Sequence, residues 1–173
     1  MTGHRYDAFI LSAAVDEPLA ATLQTTIESL TRKSFGRRGL SVFRDRTNLK
    51  PSASIADQLA TALAQSEWLI VLVSAASTRS PSVAEQIGTW MSSRPDAADH
   101  VLLVRCDETV DLSWGADGRP VAPDTFPAPL AALAEPMFVE CAQRSEELDR
   151  QAAIRLVAAI RGLDPEDVPA GVR

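Results

Sequence analysis

Two hydrophobic rhythms alternate along the chain. Trp68–Val73 (WLIVLV) is an unbroken apolar run rich in β-branched residues. A run without polar alternation suits a strand covered on both faces, as in a parallel sheet. A small polar loop, Ser74 to Ser80, follows it. Then a helix is predicted, with Ser80 as N-cap and Pro81 at the first helical position, where the missing N–H costs nothing. Val83, Ile87 and Trp90 give that helix one apolar face at i, i+4 and i+7. At about 100° per residue, Gln86 falls at the edge of this face and Glu85 points nearly opposite, toward solvent. In open α/β sheets ligands bind where strand ends meet helix starts, so this loop and helix are the first place to look for chemistry.

The rest of the chain repeats the rhythm. Asp7–Leu11 (DAFIL) reads as a short buried strand. Asp16 is expected to cap a helix whose Leu19, Leu23, Ile27 and Leu30 share a face. The basic, glycine-containing segment Thr31–Gly39 reads as a loop, and its arginines and lysine as a solvated turn. Leu40–Phe43 is a second strand. Arg44–Ser54 (RDRTNLKPSAS) is polar, contains a proline and has no apolar period; a loop this long in a compact domain is usually functional. Ser54 is expected to cap a helix with Ile55, Leu59 and Leu63 on one side. Val101–Arg105 is a fourth strand, the stretch from Cys106 to Pro129 is irregular, and Met137–Val139 fits an edge strand. Glu146–Arg161 is a last helix, with Leu148, Ala152, Leu156, Ala159 and Ile160 inward and Gly162 as its C-cap. Strands alternating with helices predict a doubly wound, three-layer α/β sandwich of flavodoxin-like topology. One domain is expected over residues 1–162, with 163–173 a linker-like tail that leads into something larger.

Composition narrows the chemistry. The chain has 173 residues, 46% of them apolar and 23% charged, ordinary values for a soluble globular domain. A net charge of -6 argues against whole-surface nucleic-acid binding. No apolar run approaches the roughly 20 residues of a membrane span, and the N-terminus MTGHRYDAF has no apolar signal-type stretch. Cys106 and Cys141 lie far apart with no CxxC, so each reads as a small buried apolar residue in a reducing, cytoplasmic compartment. The two histidines, His4 and His100, have no partner cluster, and no metal site is expected. There is no GxxxxGK[ST], no GxGxxG after the first strand, and no GxSxG.

Four segments in order carry a family likeness. They are YDAFI at Tyr6–Ile10, LSVFRDRTNL at Leu40–Leu49, SEWLIVLVSAAS at Ser66–Ser77 and SPSVAEQIGTW at Ser80–Trp90. Together they resemble the TIR (Toll/interleukin-1 receptor) domain of the bacterial type. The resemblance implies a five-stranded parallel sheet in the order 2-1-3-4-5. It also implies two possible activities: signalling by TIR–TIR self-association, and cleavage of NAD+ as a substrate, with no prosthetic group. In the enzymes a glutamate beside the nicotinamide ribose stabilises positive charge developing on the sugar, as carboxylates do in glycosidases. Aligned on Ser80, Pro81 and Val83, that glutamate falls on Gln86 and the family's tryptophan on Ser82, while Leu11 to Ala14 replace the polar and aromatic residues usual after the first strand. The likeness puts Ile10, Leu11, Ser12, Arg44, Asp45, Leu49, Lys50 and Ser82 along the nucleotide pocket, with Gln86 at the catalytic position. It makes Arg44–Ser54 the BB loop, through which one copy contacts the next, and it suggests other TIR domains or a fused sensor domain as partners in bacterial immunity. Impaired NAD+ cleavage and a non-catalytic adaptor are both open readings.

Overall fold

The computed structural model describes residues 5–32, 39–44, 55–133, 136–142 and 145–168, with only the backbone for 55 and 56. Five strands form one sheet: β1 (Tyr6–Leu11), β2 (Val42–Arg44), β3 (Ser66–Val73), β4 (Val101–Arg105) and β5 (Phe138–Glu140). Every pairing is parallel and the spatial order is β2-β1-β3-β4-β5. This is the expected flavodoxin-like sandwich, and the order reverses between β1 and β3.

Side-chain alternation along each strand splits the core into two layers. Ala8, Ile10, Ile70, Leu72, Leu102, Val104 and Val139 face one way. They pack on α1 (Glu17–Arg32) and α5 (Glu146–Arg161), through Leu19, Leu23, Ile27 and Leu30 of the first and Ala152, Ala153, Leu156 and Val157 of the second. Phe9, Leu11, Leu69, Val71, Val73 and Leu103 face the other way. Against them lie α2 (Ile55–Ala64) and α4 (Pro81–Ser93), with Phe126 and Leu130 from the irregular segment. Leu69 to Val73 are fully buried on both faces, which is why that run carries no polar alternation.

Several element boundaries differ from the expected ones. The stretch Ser74–Ser80 is not all loop: it contains a one-turn helix, α3 (Ala75–Thr78). The second strand is Val42–Arg44 and the fifth is Phe138–Glu140, each moved toward the C-terminus because the ladder with its neighbour, not local hydrophobicity, sets where pairing stops. Thr31 belongs to α1, where its hydroxyl donates to Ile27 O at 2.9 Å and accepts the Leu40 N–H at 2.8 Å. Asp16 ends a 3-10 turn (Ala14–Asp16) that runs into α1. Gly162 closes α5 at φ 67, as a left-handed C-cap. Past it, a turn at Pro165–Asp167 brings Val168 into the layer beside α5. Ser54 and the loop residues 45–54 lie outside the described residues. No described helix is long and apolar enough to cross a membrane.

Candidate functional site

The carboxyl edge of the sheet is tied together by short polar side chains. Ser74 follows β3 and caps α3 in a capping box: its Oγ accepts the Ser77 N–H at 3.0 Å, and Ser77 Oγ accepts the Ser74 N–H at 2.9 Å. Ser74 Oγ also donates to Asp16 Oδ2 at 2.5 Å. That bond crosses from the loop after β1 to the loop after β3, the point where strand order reverses and α/β sheets bind ligands. From the other side Asp107, just after β4, accepts the Ala75 N–H at 2.9 Å and both the N–H and hydroxyl of Thr109. Those hydrogen bonds, the one from Ala75 foremost, hold the Asp107 carboxyl below its ordinary value. Three loops are thereby fixed to one another. The Ser-x-x-Ser spacing of Ser74 and Ser77 was the available sequence signal for α3.

Helix α4 starts as expected. Ser80 Oγ accepts the Val83 N–H at 3.3 Å and Pro81 follows it. Val83, Ile87 and Trp90 are buried, and Glu85 is exposed. Trp90 is anchored twice: its indole N–H donates to Ala97 O at 2.9 Å, and the Arg94 guanidinium lies 4.3 Å from its ring centroid. Arg94 also donates to Leu63 O and Ser66 O, joining α4 to the start of β3.

Gln86 lies deeper than a helix-edge position suggests. It is 8% exposed. Its Nε2 donates to Ser82 Oγ at 3.1 Å, one turn earlier on the same helix. Its Oε1 is buried with no hydrogen-bond partner among the described residues. A buried acceptor left unsatisfied costs about 1–3 kcal/mol, and such atoms in native folds call for an explanation. An uncharged amide here can accept a hydroxyl or N–H from a ligand. It cannot supply negative charge.

The other sequence-derived candidates divide. Leu11 is fully buried in the α4-side layer, Ser12 is 8% exposed just beyond it, and Ser82 is exposed beside Gln86. Ile10 is fully buried in the opposite layer, against α1 and α5. Arg44 is held by the fold: its Nε donates to Gln24 Oε1 at 2.9 Å, and its guanidinium pairs with Glu17. Asp45, Leu49 and Lys50 lie outside the described residues. Among the described residues no group of three or more His, Cys, Asp or Glu side chains could hold a metal ion.

Comparison with known proteins gives consistent neighbours. The TIR domain family model matches residues 9–126. A curated relative, the NAD+ hydrolase ApTIR of Actinoplanes sp., is 34% identical over 179 residues, an alignment covering 95% of this chain. The chain spans only 24% of that relative's length. Among solved structures, the TIR domain of the Toll-related receptor TRR-2 of Hydra magnipapillata superposes with a TM-score of 0.56 at 16% identity, over 90% of this chain and 98% of that one. A TIR-STING receptor from C. gigas, solved with 2',3'-cGAMP, gives 0.56 at 21% identity over 88% of this chain and 40% of that one. The TIR domains of the activated Roq1 resistosome give 0.57 at 16% identity over 90% and 99%. At these identities the three structures speak to the fold alone.

Proposed function

The chain belongs to the TIR domain family, and from that premise we propose that it is an NAD+-binding signalling or effector module of the NAD+-hydrolase branch, with cleavage impaired by Gln86. The observation that carries this reading is the Gln86 amide. It is buried on the helix that follows the central strand, with an oxygen that no described group satisfies. The 34% identity to an NAD+ hydrolase supports the ligand class. Breaking the nicotinamide–ribose bond builds positive charge on the sugar, and a preorganised carboxylate stabilises it. Gln86 retains the shape and the hydrogen bond to a ribose hydroxyl and loses the charge, which lowers the rate by about 10²–10³. Exposed Glu85 does not substitute, because its side chain leaves α4 on the solvent side.

In this reading the module acts in the cytoplasm through self-association, with Arg44–Ser54 contributing to contacts between copies and to the nucleotide pocket together with Leu11, Ser12 and Ser82. The adaptor reading, assembly without chemistry, is favoured by the same neutral amide and by the engagement of Arg44 with Glu17 and Gln24. One pair of measurements separates the two. Concentrated protein is incubated with NAD+ and nicotinamide release is followed, for the chain as written and for Gln86→Glu. Turnover restored by the carboxylate supports the enzyme branch. No release from either form, with self-association retained, supports the adaptor.

A further inference from the structure

Cys106 and Cys141, 35 positions apart in sequence, each follow directly on one of the paired strands β4 and β5. The β4–β5 register runs Leu103 beside Phe138, Val104 beside Val139 and Arg105 beside Glu140. One rung further sets Cys106 beside Cys141. The Cys141 N–H donates to Arg105 O at 2.8 Å, which closes the Arg105–Glu140 rung and leaves the two cysteines as the next residue of each strand. Both side chains fall on the same face. Leu102 and Val104 precede Cys106 at the two-residue period, Val139 precedes Cys141, and all pack in the layer under α1 and α5. Adjacent strands lie about 4.8 Å apart, within the range of roughly 4.4–6.8 Å between Cα atoms that a disulfide spans.

We propose that Cys106 and Cys141 form a redox-active dithiol, a modification site that takes a small-molecule disulfide as its oxidant. Both are thiols in this structure, and each donates elsewhere: Cys106 Sγ to Val73 O at 3.3 Å and Cys141 Sγ to Asp149 Oδ1 at 3.2 Å. The two differ in access. Cys106 is half-buried and Cys141 is fully buried, so their roles differ. The Cys106 thiolate attacks a sulfur of the disulfide RSSR, forming a mixed disulfide and expelling RS⁻. Cys141, its proton passed to the Asp149 carboxylate, attacks Cys106 Sγ and expels the second RS⁻. The two thiol protons end on the two leaving thiolates, giving one protein disulfide and two RSH. Bringing the sulfurs together requires a side-chain rotation at each cysteine away from its present acceptor. A cross-link between neighbouring parallel strands is a constrained one, and constrained disulfides are the readily reduced, reversible kind.

The test uses the full chain, native and monomer-selected, in oxidised-to-reduced glutathione buffers, read by intact mass and peptide mapping. The expected product has lost two hydrogen atoms, carries no glutathione, maps to a Cys106–Cys141 peptide and reverts with excess reduced glutathione. Cys141→Ala should instead accumulate a glutathione adduct on Cys106, and Cys106→Ser should remain unmodified. Folding of both variants is checked by circular dichroism, and the mapping of the unmutated chain decides the matter if either fails to fold. A stable single adduct on the unmutated chain, a cross-link between two chains, or no reaction until the protein is denatured would each overturn the proposal.

Discussion

At the scale of single residues, Trp90 and Gln86 show what position alone does not reveal. Trp90 is fully buried, hydrogen-bonded to Ala97 O and covered by Arg94. Trp90→Ala is expected to cost about 3–5 kcal/mol by cavity formation, and Trp90→Phe about 1–3 kcal/mol, mainly because Ala97 O then loses its donor in a dry site. Urea unfolding of the two variants checks both. The apolar spacing predicted that Trp90 would be buried. It could not predict the depth of Gln86, because a helical angle gives direction and not what stands in that direction. Ile10 and Leu11 make the same point. Adjacent in sequence and equally apolar, they enter opposite layers, since the side-chain period of a strand is two. The resemblance places Arg44 along the nucleotide pocket, and the fold gives it contacts to Gln24 and Glu17. Arg44→Gln should therefore lower the melting temperature, by loss of its contacts to Glu17 and Gln24, and thermal unfolding of the variant would register it.

At the scale of elements, strands and long helices were legible from hydrophobic period, while caps and short turns were partly so. Ser80 before Pro81 was readable, and Ser80→Ala is expected to cost about 1 kcal/mol. For a domain of this size that is a fall in melting temperature of roughly 2–4 °C. Ser74→Ala should cost more, because that hydroxyl serves α3 and Asp16 at once; a differential melt of the two variants tests the ranking. The ends of β2 were not legible. Gln24 and Glu28 of α1 reach across to bond Val42 O at 2.9 Å and Val42 N at 3.2 Å, so a helix satisfies the outer edge of a strand distant in sequence. No local pattern announces such a contact. The adjacency of Cys106 and Cys141 is illegible for the same reason: it exists only once β4 and β5 are paired.

At the scale of the whole molecule, the loops after β1, β3 and β4 behave as one unit through Asp16, Ser74 and Asp107. Asp107 adds a pH dependence whose sign follows from its lowered pKa. A carboxyl that titrates lower when folded contributes stability that is present above its unfolded value, near 3.8, and is lost as pH falls through the folded one. The melting-temperature gap between the chain and Asp107→Ala should thus be widest at neutral pH and close as the solution is taken below 3.8. Unfolding scans at neutral and strongly acidic pH provide the comparison.

The buried carbonyl oxygen of Gln86 bears on how this sequence would drift. Among the described residues that buried oxygen has no donor, a burden carried whether or not any ligand is near. Gln86→Met fits a similar volume without that burden, and it should melt higher than the unmutated chain. Under selection for heat tolerance alone, position 86 would be among the first to turn greasy. Under selection in a living host, the persistence of an amide there would measure how often something arrives to hold it.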